Sequence, residues 1–219
     1  MQTLVLALYA EGSTDERFLP PVIQRTVQHI VAERGRTMVD VLEPLLVQKN
    51  PDISGQAERI LDAARQTTGS HALIIHADAD HPTAERALTE RFQPGLLLVK
   101  QAGIDHHLIP LIPVRMIEAW LLADPEALRQ VIGTDMSTRD LHLPVQAHQV
   151  EAVSDPKQTL KDIVQRTTAQ RRRRRAMRVS DMFAPLARTI SLERLRSVPA
   201  YQQFVADMSA ALVELHIIE

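Results

Sequence analysis

The sequence predicts an α/β protein, a parallel Rossmann-like sheet flanked by helices, followed by a helical C-terminal part. Short, near-continuous apolar runs alternate with longer amphipathic stretches over the first hundred residues. That rhythm belongs to βαβ units whose strands are buried on both faces. From Pro156 onward the periodic stretches read as helical. At 219 residues and 45% hydrophobic, the chain buries a core without a staple.

Leu4 to Tyr9 reads as a buried strand. Ser13 with Glu16 three residues later forms a capping-box signature, so a helix is expected to start there. Pro20-Pro21 should disturb that helix and restart it before it runs to about Arg34. Met38 to Val47 reads as a second strand interrupted by Pro44, and Ser54 to Thr68 as an amphipathic helix. Ala72 to Ala77 is a third buried strand, Pro82 to Phe92 a helix, and Leu96 to Lys100 a fourth strand. Leu108 to Val114 suits an edge strand because of its two prolines. Short helices are expected over 116–123 and 126–132, an irregular stretch over 134–155, then helices over 157–177, 181–196 and 200–217. The expected division is an α/β core over residues 1–125 and a mainly helical extension over 126–219.

Composition removes several function classes. The chain has no cysteine, which excludes disulfides, Cys-ligated zinc, iron–sulfur clusters and thiol catalysis. Phe, Tyr and Trp total seven, too few for a base-stacking surface. The net charge of −2 hides an asymmetry: the stretch from Gln165 to Arg178 holds seven arginines and no acid, leaving the remainder at −9. So local a charge suggests a polyanion contact. The apolar run Thr3 to Ala10 is too short for a membrane span and lacks a basic leader, so the expected location is the cytoplasm, without a membrane.

In an open parallel sheet, ligands bind outside the carboxyl ends of the strands, where strand order reverses. Glu11-Gly12-Ser13-Thr14-Asp15 follows the first strand, and His76-Ala77-Asp78-Ala79-Asp80 ends the third. In an extended segment, Asp78 and Asp80 share a face. With Glu11 they offer three hard oxygen ligands, which repel one another unless a cation sits among them. Mg²⁺ suits such a site and keeps waters that phosphate oxygens can replace. The plainer alternative for a single acid here is a helix cap, which suits Asp80 before His81-Pro82 and Asp124 before Pro125.

These residues resemble a known signature. Glu11 through Asp15, followed by the Asp78-Ala79-Asp80 triplet, looks like the pattern of TOPRIM domains. More closely, the chain resembles the bacterial family filed as domain of unknown function 4276. The likeness includes Arg115 through Asp124 (RMIEAWLLAD), Asp155-Pro156-Lys157 and Pro199 through Phe204. It implies a TOPRIM-like fold and Mg²⁺- or Mn²⁺-dependent phosphodiester chemistry, in the manner of nucleases of the overcoming-lysogenization-defect type. Glu11 then matches the acid/base or metal-binding glutamate, and Asp78 and Asp80 match the metal ligands. Asp15 falls where those nucleases carry a second acid, and Glu118 is the best further acid. Lys100, at the end of its expected strand, is the candidate basic group, and Lys157, in Asp155-Pro156-Lys157, is the other lysine considered. Members of the family often neighbour AAA or SMC-like ATPases in settings resembling phage defence, which implies such a partner and nucleic acid as substrate.

Other features have open readings. Arg115 and Glu118, three apart, suit an ion pair on a helix. His106-His107 diverge and are poor joint ligands, and His76 either orients a metal-bound carboxylate or is a hydrogen-bonded core residue. Arg171, Arg172, Arg173, Arg174 and Arg175, with Arg178, either form a solvated helix face or contact a phosphate backbone. The expected function is a Mg²⁺-dependent nuclease subunit. The alternative is a non-catalytic subunit that docks on an ATPase or on nucleic acid.

Overall fold

The computed structural model describes residues 2–144, 146–169 and 177–219. Among them no helix is long and apolar enough to cross a membrane. Strands β1 (Gln2–Leu4) and β2 (Leu6–Tyr9) are one segment broken at Val5, whose N–H donates to His71 Nδ1 at 3.1 Å. Pro44 splits the second segment into β3 (Val39–Val41) and β4 (Leu45–Leu46). β5 (Ala72–His76) and β6 (His107–Leu111) complete the sheet. All pairings are parallel: β1 with β3, and the order β4-β2-β5-β6.

Side-chain alternation along β2 divides the two faces. Leu6 and Leu8 enter the core beneath helix α1 (Asp15–Arg34), while Ala7 and Tyr9 join Leu73 and Ile75 beneath α2 (Gln56–Gln66). Helix α1 runs without a break through Pro20 and Pro21, contrary to the expected restart. The lost N–H groups cost bonds only near the helix start, and the buried Phe18, Leu19, Pro20, Val22 and Ile23 fix the segment by packing. The expected capping box is also absent. Thr14 is the cap residue and caps with no side-chain bond; instead Asp15 Oδ2 accepts Gly12 N–H at 2.7 Å.

The expected fourth strand, Leu96 to Lys100, is helical. A single helical run comprises α3 (Glu85–Ala87), a π-helical turn (Leu88–Phe92) and α4 (Gln93–Gln101). Four apolar residues in a row fit a buried strand or a helix equally well. Packing decides here, because Gly95 lies so close to α2 that a Cβ would come within 2.6 Å of Ile60 Cδ1.

After β6 come α5 (Glu118–Leu121), α6 (Pro125–Ile132), a 3-10 turn (Ala147–Ala152) and α7 (Pro156–Ala169). A second 3-10 turn (Val179–Asp181) leads into α8 (Phe183–Thr189), α9 (Leu192–Leu195) and α10 (Pro199–Glu214). These helices share one hydrophobic cluster with the α1 face of the sheet. Trp120 stacks edge-on against Tyr201 at 5.3 Å, and Thr26 Oγ1 hydrogen-bonds Tyr201 Oη at 2.7 Å. Arg25 donates to Ala187 O and Ile190 O, fastening α1 to the end of α8.

Candidate functional site

Strand order reverses beside β2. The chain leaves β2 for β3 and β4 on one side, then crosses to β5 and β6 on the other. The carboxyl ends of β2 and β5 flank this reversal, the place where open parallel sheets hold their ligands in a crevice. Glu11 and Asp15 enter it from the β2 side, and His76 and Asp78 from β5. Glu118 reaches it from the start of α5.

The two loops are tied together. Glu11 Oε2 accepts Asp78 N–H at 3.2 Å, and Asp78 Oδ1 accepts Ile117 N–H at 2.9 Å. His76 is fully buried. Its Nε2 lies 3.4 Å from Asp78 Oδ1 without a well-aligned bond, and its Nδ1 lies 3.7 Å from Asp15 Oδ2. Glu11 N–H approaches the same Nδ1 at 3.4 Å. The histidine thus fills the core with its ring nitrogens facing two carboxylates, Asp15 and Asp78.

Asp78 and Asp80 do not share a face. Asp80 has a φ of 51°, which breaks the extended alternation and turns its side chain away. It does not cap the following helix either, whose N-cap is Ala84. Instead its Oδ2 accepts from Arg91 Nη2 at 2.9 Å, and Arg91 Nη1 donates to Asp78 O at 2.7 Å and stands 4.0 Å from Glu11 Oε1. Arg115 is likewise left-handed, at φ 63°, and its carbonyl accepts Asp80 N–H at 2.9 Å. It stands outside α5, so the expected helical Arg115–Glu118 pair does not form.

Electrostatics mark the cluster. Burial raises the Glu11 carboxyl above its ordinary value; Asp78 N–H and the His76 charge oppose this, and the Asp78 charge adds to it. Burial likewise raises Asp15, against His76 and with Asp78, and raises Glu118, with Asp78 and Asp15 adding and Lys157 opposing. Burial pulls the His76 imidazole down, but Asp78, Asp15 and Glu11 together carry it above its ordinary value. Carboxylates crowded and desolvated in this way accept protons or cations readily.

Lys100 is not part of this group. It lies in the last turn of α4, which returns toward the amino end of β6, so its expected place at a strand end is lost. Lys157 is the lysine whose charge acts on Glu118. Asp124 is the helix cap expected from its sequence, accepting Ala127 N–H, and it also accepts Ser191 N–H at 2.9 Å. His106 and His107 diverge, His106 toward Thr67 and Ser70 and His107 toward Glu214. Arg171 to Arg175 lie outside the described residues, and Arg178 is exposed, its N–H donating to Asp181 Oδ2.

Two contributors escaped the sequence analysis. Arg91 is one of 21 arginines and has no motif around it. Lys49 Nζ donates to Glu16 Oε1 at 2.6 Å and to Glu11 O at 3.1 Å, which anchors the Glu11 loop.

The family model of a domain of unknown function, DUF4276, matches residues 10–209 and so spans every residue of this crevice. The chain belongs to the DUF4276 family. No curated protein and no solved structure matches it. In this DUF4276 chain the donor set is chemically suited to a hard divalent cation: Glu11, Asp15, Asp78 and Glu118 supply oxygens at the mouth of a parallel sheet. Among the described residues, however, no three ligating side chains stand gathered around one point.

Proposed function

We propose that this protein is a TOPRIM-like, Mg²⁺- or Mn²⁺-dependent phosphodiester-processing protein, a nuclease subunit acting on nucleic acid. One observation supports the reading above others. Burial raises the carboxyl pKa values of Glu11, Asp15 and Glu118, and the charge of Asp78 acts on each of them near a strand-order reversal. A merely structural cluster gains nothing from that crowding, whereas a site for a cation and an anionic substrate uses it.

Asp78 and Glu11, with Asp80 once freed from Arg91, would hold the metal. When bound, it supplies Lewis-acid stabilisation of the phosphoryl oxygens and a more acidic water. Burial raises the Glu11 carboxyl, the direction that favours a group which gives and takes a proton. His76 keeps the Asp15 and Asp78 carboxylates apart and oriented. Arg171 to Arg175 and Arg178 would contact the phosphate backbone without reading sequence.

A second reading has an observation of its own. His76 and Arg91 already offset part of the acidic charge, and Asp80 faces away from Asp78. That arrangement fits a non-catalytic subunit that docks on an AAA or SMC-like ATPase in a phage-defence setting. Incubating supercoiled DNA and RNA with the protein in Mg²⁺ or Mn²⁺, alone and with the neighbouring gene's product, separates the two. Cleavage lost in Asp78→Asn supports the nuclease; no cleavage under any condition favours the docking subunit.

A further inference from the structure

Arg91 stands in the π-helical turn Leu88–Phe92. Such turns are rare, re-aim a side chain and recur at functional sites. Here the turn aims one guanidinium across the mouth of the crevice. Nη2 is bonded to Asp80 Oδ2, and Nη1 to the Asp78 carbonyl with Glu11 Oε1 beyond it. A single planar fork thus links both strand ends, which a lysine's point charge could not do. The side chain is 34% exposed, and Asp80 is 61% exposed. The contact is therefore open to solvent and exchangeable.

We propose that Arg91 is the counter-cation that a divalent metal must displace to enter the crevice. The inference rests on the metal reading above. A guanidinium and a divalent ion on the same carboxylates repel each other, so each lowers the affinity of the other. The left-handed backbone at Asp80 turns its side chain from Asp78, and Arg91 holds it there, so the described carboxylates are not gathered around one point. Without metal, the arginine relieves the repulsion between the Glu11 and Asp80 loops. With metal, the guanidinium yields the Glu11 and Asp80 carboxylates to the ion and moves toward solvent.

Calorimetric titration of Mn²⁺ into the full chain, wild type against Arg91→Gln and Arg91→Lys, tests this, with melting curves as a control on folding. The Gln variant should bind Mn²⁺ about 10-fold tighter or more, because one positive charge has left a crevice that is only partly screened. The Lys variant should fall between, since it keeps the charge but cannot span both carboxylates. Should the Gln variant fail to fold, the Lys variant decides: tighter binding than wild type supports the proposal, equal or weaker binding overturns it. If wild type binds Mn²⁺ and Arg91→Gln binds no tighter, the inference falls and the metal reading stands. If none of the three binds Mn²⁺, both fall.

Discussion

His76 Nε2 lies 3.4 Å from Asp78 Oδ1, two residues further along the same chain, close enough for each to feel the other's charge. The histidine occupies the last position of β5, fully buried, while the aspartate stands just beyond it at the crevice. Neutral, the ring takes Glu11 N–H at Nδ1 and turns its Nε2 proton toward Asp78. Protonated, its second N–H faces Asp15 Oδ2.

This arrangement sets a pH dependence. His76, Glu11, Asp15 and Glu118 all have folded-state pKa values above their ordinary ones. The native state therefore holds its protons longer than the unfolded chain does. The stability each group contributes is complete below its unfolded pKa, about 4 for the acids and about 6.5 for the histidine, and is lost as pH rises through the folded value. Melting temperature in EDTA should decline from pH 5 to pH 8, with about 2–4 °C per kcal/mol lost for a domain of this size. Saturating Mn²⁺ should flatten the slope by taking the place of the protons. A slope of opposite sign in EDTA contradicts the electrostatic account.

Glu11→Gln keeps the size of the side chain and removes its charge and basicity. Cleavage should fall by at least ~100-fold, the low end of what an acid–base group contributes. Melting temperature at pH 8 should hold or rise, because a desolvated carboxylate beside Asp78 has been neutralised. A fall in stability with full activity per folded molecule assigns Glu11 a structural role.

Asp124→Ala makes the reverse case. Asp124 caps α6 through Ala127 N–H, holds Ser191 N–H, and lies 3.6 Å from Arg194 Nε. Its loss leaves buried donors unpaired and should cost about 1–3 kcal/mol. Denaturant midpoints should shift accordingly, while Mn²⁺ affinity of the folded protein stays as it was.

Gly95→Ala tests the helix that replaced the expected fourth strand. Alanine in a helix normally gains about 1 kcal/mol over glycine. Here the new Cβ meets Ile60 Cδ1 at 2.6 Å and Ile60 Cβ at 2.7 Å. Overpacking should prevail, for a net loss of up to about 3 kcal/mol by urea titration. A stabilised variant would mean that α2 and α4 separate enough to admit the methyl group.

Replacing Arg171 to Arg175 with Gln should weaken nucleic-acid binding about equally across sequences. Each phosphate contact removed should flatten the salt slope by about 0.9 log units per log of salt on duplex DNA. Fluorescence anisotropy over a salt series measures this. Unchanged binding at every salt concentration makes the run a solvated segment.

Two central strands and the acids that follow them were legible in the sequence because they depend on local, periodic signals. Buried parallel strands appear as apolar runs, and Leu4 to Tyr9 and Ala72 to Ala77 have almost no other reading. The carboxylates at their ends interrupt those runs, so Glu11 and Asp78 were visible too, and Glu118 stood out within the family's motif. Leu96 to Lys100 was ambiguous, since only the nearness of Ile60 to Gly95 makes it a helix. Pro20-Pro21 looked like a break, yet the packing of α1 outweighs two missing hydrogen bonds. Two-residue spacing suggested that Asp78 and Asp80 face the same way; a left-handed backbone at Asp80, held by the Arg115 carbonyl 35 residues later, turns them apart. Arg91 reaches Asp80 from a π-helical turn, and no local pattern encodes that contact. Periodicity and residue type thus determined the strands and the acids. Contacts between distant segments decided which way those acids face and which cation meets them, because orientation depends on neighbours that one-dimensional spacing does not hold.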